Sequence, residues 1–312
     1  MNSVPEKLTR ICAAGGFTQE ALAARLGVSF VTLNKWVNGR AVPRQKSQEK
    51  IDLLFADILG SDSVDAASVT NAKLLALTKQ FTIGRLLANR EILDRITVNL
   101  TYHSNATEGS TMTEADVAAV LFDSRILKNR TAIEQCEAIN HRSALNFLLD
   151  ALQTGGTAFM FTPDLLRATH LRLMNGVISN AGEYRNHGAR IHGAFVPLAN
   201  FIKIPELINL WCEQMNAQSG DPVNLLAATH AEFERIHPFS DGNGRTGRLF
   251  LFIKALQLGL VPPVIHKERR NAYYKYLKIC QTRGNPALLE KFIAEAILET
   301  AGKLAPPEEV PQ

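Results

Sequence analysis

The twelve residues HPFSDGNGRTGR, positions 237 to 248, gather one histidine, one aspartate, one asparagine, two arginines and three glycines. His237 is the one side chain among them that exchanges a proton near neutrality, its ordinary pKa being ~6.5. Gly242 and Gly244 allow a tight turn with positive φ. A glycine turn opening onto a helix aims its N–H groups at one point that favours negative charge. Arg245 and Arg248, three apart where that helix starts, both project toward this point, and guanidinium forks suit phosphate oxygens. Asp241 offers a hard carboxylate to Mg²⁺, which takes one or two such ligands and leaves the rest to water and phosphate. Asn243 stands where it can orient a phosphate or the loop. A neutral imidazole beside a bound nucleotide phosphate chain is what a general base needs to activate an incoming hydroxyl.

Two helices must hold this loop. NLLAATHAEFERI, residues 224 to 236, places Leu225, Ala228, His230 or Ala231, and Phe233 at helical spacing, and Pro238 ends the run so that His237 stands at its C-terminus. RLFLFIKALQLGL follows the loop as a second helix. From about Thr70 to Lys303 apolar residues recur at spacings of three and four, so the expected fold is mainly α. The exception is ARIHGAFVPLANFIKIP, residues 189 to 205, whose β-branched and aromatic residues around Gly193 and Pro197 suit a short β-hairpin. The small polar run after Leu59 divides the chain into an N-terminal domain over 1–60, a linker over 61–69 and a main domain over 70–303. A frayed tail over 304–312 follows. No internal repeat is present.

The composition is that of a soluble globular protein, 46% apolar, and no run reaches the ~18 apolar residues of a membrane span. The start lacks the features of a signal peptide, and a cytoplasmic protein is expected. Cys12, Cys136, Cys212 and Cys280 lie far apart, which fits reduced, mostly buried thiols. The basic excess lies at one end. Residues 1 to 50 hold eight Lys or Arg against three Asp or Glu, so +5 sits there and −1 on the remaining 262 residues, for a net charge of +4.

That basic segment contains FTQEALAARLGVSFVTLNKWVNGRAVP, residues 17 to 43, which reads as helix, tight turn and helix. Thr18 and Ser29 are placed as N-caps, Gly27 permits the turn, and Leu22, Ala23, Leu26, Leu33, Trp36 and Val37 face inward. Phe30, Val31, Thr32, Asn34 and Lys35 then populate the half of the second helix from which base-edge contacts come, and Lys35, Arg40, Arg44 and Lys46 are available to phosphates. The segment resembles the helix-turn-helix of the Cro and repressor family, chiefly in TQEALAARLGVS followed by WVNGR. The resemblance implies DNA binding, with Thr32, Asn34, Lys35 and Arg40 as contacts.

The loop over 237 to 248 matches H-P-F-x-[DE]-G-N-G-R-x-x-R, the signature of Fic-domain proteins, at every defined position, and the wider resemblance covers about residues 75 to 300. It implies a helical Fic fold and transfer of AMP from ATP, with Mg²⁺ or Mn²⁺, to a Ser, Thr or Tyr hydroxyl of a protein target. His237 would be the base, with Asp241, Gly242, Asn243, Gly244, Arg245, Thr246, Gly247 and Arg248 around nucleotide and metal. RRNAYYKYLKICQTRG, residues 269 to 284, resembles the helix that closes the family's nucleotide pocket, with Tyr273, Tyr274 and Gln281 near the adenosine. Residues 182 to 211 resemble the family's flap, where His192, Gly193, Ala194 and Phe195 would dock the target's main chain by strand addition. Gly244 stands where Doc-type kinase relatives have lysine, which argues for adenylyl transfer.

SNATEG, residues 104 to 109, fits the inhibitory pattern [ST]-x-x-x-E-[GN] of self-regulated Fic proteins, and Thr113 with Asp116 can cap a helix just beyond it. The resemblance implies that Glu108 pairs with Arg248 where an ATP γ-phosphate would sit, turning the α-phosphate away from attack. The same carboxylate could position a water to remove AMP from a modified target. The expectation is an autoinhibited protein adenylyltransferase that forms a homodimer. Two alternatives stand beside it: the same chemistry with another donor such as UTP, and a DNA-binding regulator whose Fic part only senses nucleotide.

Overall fold

The computed structural model describes residues 3–59, 65–123, 125–189 and 196–304. Four helices come first: α1 (Val4–Gly15), α2 (Gln19–Leu26), α3 (Phe30–Val37) and α4 (Gln45–Leu59). Ser3, Thr18 and Ser29 start α1, α2 and α3, each accepting a hydrogen bond from the N–H three residues on. Gly27 ends α2 in the left-handed region, with φ 70°, and so makes the turn into α3. Leu8, Ile11, Leu22, Leu26, Leu33, Trp36, Ile51 and Phe55 close a core belonging to these four helices alone. The inward face read from the sequence is the buried one, except that Val37 is half-buried at its edge.

The next helix, α5 (Ala66–Leu77), begins inside the stretch read as linker, with Asp65 as its cap. Its alanines favour helix, and Val69, Ala72 and Ala76 are buried, which holds it along the last helix of the chain. There follow α6 (Ile83–Ala88), α7 (Arg90–Thr107), α8 (Glu114–Phe122), α9 (Ala132–Gly155), α10 (Pro163–Met174), α11 (Ile204–Asn216), α12 (Pro222–Ile236), α13 (Asn243–Gln257), α14 (Arg270–Arg283) and α15 (Ala287–Leu304). The axis of this second body is α13, buried at every residue from Arg245 to Leu256. It is packed by α7, α9, α10 and α12, and Phe233, Phe239, Phe250 and Phe252 have no exposed surface worth counting. Each such ring contributes about 2 to 3 kcal/mol of apolar burial. Because α12 is central too, it hides more than one stripe. Only Ala228 of its middle turns, read from periodicity as inward, faces solvent.

The four-helix domain rests on the second body through α4. Arg269, just before α14, lies between Glu49 of α4 and Glu295 of α15, at 2.5 Å from each, while Asp52 of α4 meets Lys7 at 2.7 Å and Lys291 at 3.7 Å. The expected hairpin fares differently. His192, Gly193, Ala194 and Phe195 lie outside the described residues, as do the linker positions 61–64 and the tail from 305. The described remainder of the hairpin span is irregular from 196 to 200. It then turns into a 3₁₀ segment, because Pro197 offers no N–H to a ladder and the Asn200 side chain accepts the Ile202 N–H at 3.1 Å. Among the described residues the β pairing is a single bridge between Gln80 and Leu260. No helix among them is long and apolar enough to cross a membrane.

Candidate active site

The loop 237–242 joins α12 to α13, so every side chain of the motif is set by the ends of two buried helices. His237 caps α12 with φ 50° and ψ 61° and is, among the described residues, the one non-glycine with positive φ. That conformation costs about 1 kcal/mol per residue for an L side chain, and the surroundings must hold it. Burial pushes the imidazole down to about 4. The Arg185 charge acts in the same sense, while the Glu234 main chain and the Glu108 and Asp241 carboxylates oppose it. His237 is therefore neutral at pH 7.

Gly242 is the turn glycine, with φ 76°, and its missing side chain lets Met174 and His170 close in underneath. His170 stacks on Phe239 at 3.6 Å, accepts from Gly182 N–H at Nδ1 and donates from Nε2 to the Asp241 carbonyl at 2.9 Å, so the loop is held from α10. The sequence reading gave positive φ to both Gly242 and Gly244. In the fold the helix already starts at Asn243, so Gly244 is helical, and its smallness serves a different need described below. Asn243 clamps the loop, exchanging two hydrogen bonds with the Phe239 main chain at 2.9 and 2.8 Å. Thr246, fully buried, bonds the Gly242 carbonyl at 2.8 Å. Gly247 leaves room for the Glu234 carboxyl and the rings of Phe233 and His230. No side chain caps α13. Its first-turn N–H groups, with the dipole behind them, form an anion site. Asp241 is 61% exposed at the side chain, with Oδ1 on the Gly242 N–H and Oδ2 3.8 Å from Arg245. It presents one hard oxygen to solvent beside that helix end, which fits a Mg²⁺ or Mn²⁺ ion.

The two arginines go to different acids. Arg245 is buried against Glu137 of α9 at 2.5 Å. Arg248 meets Glu108 at 2.6 Å and also donates to Ser104, to the hydroxyl at 3.1 Å and to the carbonyl at 3.0 Å. Glu108 ends α7, where Gly109 takes φ 110° and turns the chain back, which accounts for glycine after the acid. Burial disfavours the Glu108 anion, but the Arg248 charge and hydrogen bond outweigh it and hold the carboxyl below its ordinary value. A side chain at Gly244 would run into the Glu108 carboxylate and Arg248. Glu108 thus sits at the open end of α13 as well as on Arg248. The segment beyond it is fixed: Glu134 accepts from Thr111 N–H at 2.6 Å while completing the capping box of α9 with Thr131, and the Thr113–Asp116 capping box starts α8 as expected.

Of the expected adenosine-side residues, Tyr273 is wholly buried, its hydroxyl 2.7 Å from His230 Nε2. Tyr274 is half-buried under Arg270, and Gln281 donates to the Ala231 carbonyl at 2.9 Å, which ties α14 to α12. In the N-terminal domain Lys35 and Arg40 are exposed and Thr32 and Asn34 half-buried on α3 and its end, with Asn34 bonded to Gln19. Phe30 and Val31 are 43% and 62% exposed there, unusual for apolar residues with core available nearby. Sequence reasoning did not find Glu137, His170, Glu234 or Arg185, and it had Ser104 only as the first position of the SNATEG pattern, with no contact assigned. A signal for its contact existed: Thr97, Thr101, Ser104 and Asn105 form a buried polar stripe at helical period on α7, and Glu108 follows as its C-cap.

Residues 160–253 match the profile of the Fic/DOC family and residues 8–52 a helix-turn-helix profile. "Protein adenylyltransferase Fic" of Aedes aegypti is 30% identical over 203 residues, which are 64% of this chain and 40% of that protein. The protein of the same name from Drosophila mojavensis is 29% identical over 201 residues, 64% of this chain and 39% of that one. The chain spans about two fifths of the length of these curated relatives. Among solved structures, Fic-1 (residues 134–508) of C. elegans superposes with a TM-score of 0.68 at 18% identity, covering 97% of this chain and 98% of that one. A Fic domain containing signaling protein of Bacteroides thetaiotaomicron gives 0.64 at 19% identity, covering 76% of this chain and 96% of the other. The chain therefore contains a Fic domain and, N-terminal to it, a helix-turn-helix domain.

Proposed function

We propose that this chain is an autoinhibited protein adenylyltransferase. The observation that carries the reading is the Glu108 carboxylate seated 2.6 Å from Arg248 at the uncapped end of α13, where a nucleotide phosphate would need that charge. When Glu108 leaves, Arg248, Arg245 and the first-turn N–H groups of α13 hold the phosphate chain of ATP, and Tyr274 and Gln281 lie on the side of α14 toward the base. His237, neutral at working pH, takes the proton of the target's Ser, Thr or Tyr hydroxyl. The hydroxyl oxygen forms a bond to the α-phosphorus, the bond to the bridging oxygen breaks, and pyrophosphate leaves. Asp241 would hold Mg²⁺ or Mn²⁺, which when bound neutralises charge on the phosphates. Removal of AMP runs that path in reverse with water in place of pyrophosphate: the water oxygen bonds to the phosphorus, the bond from phosphorus to the target's oxygen breaks, that oxygen takes a proton from His237 and AMP leaves. Glu108 is near enough to the site to orient the water and take its proton.

The helix-turn-helix domain favours a second role, DNA binding through α3. Its exposed Lys35 and Arg40 supply phosphate contacts, and a homodimer would read two half-sites one helical turn apart. Incubation with labelled ATP tests the enzyme reading. A Glu108→Gly variant transfers label to protein, and adding His237→Ala lowers transfer by roughly 10³-fold. No transfer by Glu108→Gly with either metal, or label competed by UTP better than by ATP, would sink the assignment. A DNA regulator that only senses nucleotide would instead show ATP-dependent DNA affinity with no label transfer.

A further inference from the structure

Arg185 has no place in the reading above, yet its side chain is 2% exposed and no ion pair to an acid is found for it among the described residues. Among the described residues its side chain bonds only to main-chain carbonyls, two of them at Ile236 and His237. Nε donates to the His237 carbonyl at 2.7 Å, Nη2 to the Ala199 carbonyl at 2.6 Å and the Ile236 carbonyl at 3.3 Å, and Nη1 to the His187 carbonyl at 2.7 Å. Its own N–H donates to the Pro238 carbonyl at 2.9 Å. Three consecutive carbonyls, those of Ile236, His237 and Pro238, are thus fixed by one residue, and the middle one belongs to the non-glycine residue with positive φ. A helix C-terminus carries partial negative charge on such carbonyls, so a buried cation is stable there without a carboxylate. His187 and Ala199, whose carbonyls take the rest of the fork, set the guanidinium from the opposite side.

We infer that Arg185 is a positioning residue for the transfer reaction: it locks the left-handed main chain of His237 and so aims the imidazole at the hydroxyl it deprotonates. The inference rests on the adenylyltransferase reading. It assigns to Arg185 no contact with reacting atoms. A neutral side chain cannot reproduce the fork, and lysine keeps the charge but reaches fewer carbonyls.

The test uses the full chain with Arg185→Gln and Arg185→Lys, each added to Glu108→Gly. Arg185→Gln is expected to lower kcat of label transfer about 100-fold while KM for ATP and ATP binding by calorimetry change less than about threefold; Arg185→Lys recovers part of the loss. An NMR titration of His237 adds a readout that does not need turnover. The charged groups facing this ring are Arg185, Glu108 from the end of α7 and Asp241 from the loop, and the titratable Glu234 faces it from α12. Removing Arg185 takes away the cation among them, so the titration moves to higher pH in Arg185→Gln and stays in Arg185→Lys. A kcat within threefold of the parent would overturn the inference, as would equal losses of kcat and ATP binding with an unmoved titration. If Arg185→Gln does not fold, Arg185→Lys decides: a lower kcat with ATP binding kept supports the role, and an unchanged kcat ends it. Should the Glu108→Gly parent itself transfer no label, the adenylyl reading fails, and the His237 titration still judges Arg185.

Discussion

Arg245 and Arg248 stand three residues apart on one helix, are both buried and each hold one carboxylate at hydrogen-bond distance, yet these partners are built differently. Glu137 lies inside the 24-residue α9, whose start is fastened by the Thr131–Glu134 capping box. It cannot leave Arg245 unless that helix moves. Glu108 is the C-cap just past α7, followed by a glycine turn, and its side chain is 33% exposed against 17% for Glu137. A few dihedrals suffice to swing it away. On the proposed reading the same kind of contact is a fixture in one place and a latch in the other, and the difference lies in where each acid sits along its helix.

Removing the two acids should break this symmetry with opposite signs. Glu108→Gly is expected to raise label transfer by roughly 100-fold, whereas Glu137→Ala, combined with Glu108→Gly, lowers it to near background because Arg245 loses the partner that places it. Stability separates them too. Glu137→Ala leaves a buried guanidinium with only the exposed Asp241 carboxylate, 3.8 Å away, and costs about 3 kcal/mol, while Glu108→Gly, at a more exposed pair with Ser104 still bonded to Arg248, costs about 1 kcal/mol. Denaturant unfolding and the labelling assay read both. Equal losses of activity in the two variants would show that neither acid is a latch.

Acid offers a finer distinction, between Glu108 and the other carboxyl near Arg248. The Glu108 pKa is held below its ordinary value. Its contribution to stability is complete above that value and is lost as pH falls through the lower, folded one. The Tm difference between the wild type and Glu108→Gln should accordingly be full at pH 7 and shrink only as the pH falls below the ordinary carboxylate range. Glu234 behaves the other way. Burial raises it to about 7, against the lowering effect of Arg248, so its ionisation costs stability as pH climbs from the ordinary value toward 7. Glu234→Gln should match the wild type at pH 4 and exceed it at pH 8, by about 2 to 3 kcal/mol at most. A Glu234→Gln variant that is less stable at pH 8 would mean that the carboxylate is charged and paired there.

These contrasts also mark what could be read from the residues alone. The helix-turn-helix caps and turn, the helical class and the loop chemistry follow from local rules: a Thr or Ser before a helix, Gly at a left-handed position, a spacing of three. The Glu108–Arg248 pairing joins residues 140 apart and is implied by the resemblance of SNATEG to an inhibitory pattern, not by any local rule. Glu137, Arg185 and His170 did not follow. Each acts across more than 50 residues of chain on a main-chain atom or a single side chain, and nothing in its neighbours' types announces that. The expected hairpin failed in its described part for a related reason, since alternating apolar types near Pro197 and Asn200 are overruled by the missing donor and the local cap. Gly244 was noticed for the wrong property. Its φ is ordinary, and its use is the space it leaves.

That space gives the smallest effect and the sharpest test of the latch. A Cβ at Gly244 would collide with the Glu108 carboxylate and the Arg248 fork, but with little backbone. The far end of a flexible glutamate yields more readily than a buried arginine held by Ser104, so Gly244→Ala should push Glu108 off Arg248 and raise label transfer by roughly three- to tenfold. The same methyl group narrows the helix end where the proposed phosphates would sit, which works against the gain. A double-mutant cycle separates the two. If the collision with Glu108 is what matters, Gly244→Ala activates the wild type and brings no gain in the Glu108→Gly background, where the obstacle is gone. An equal gain in both backgrounds would place the effect in the loop and not in the acid, and Glu108 would then no longer be the element that sets the activity.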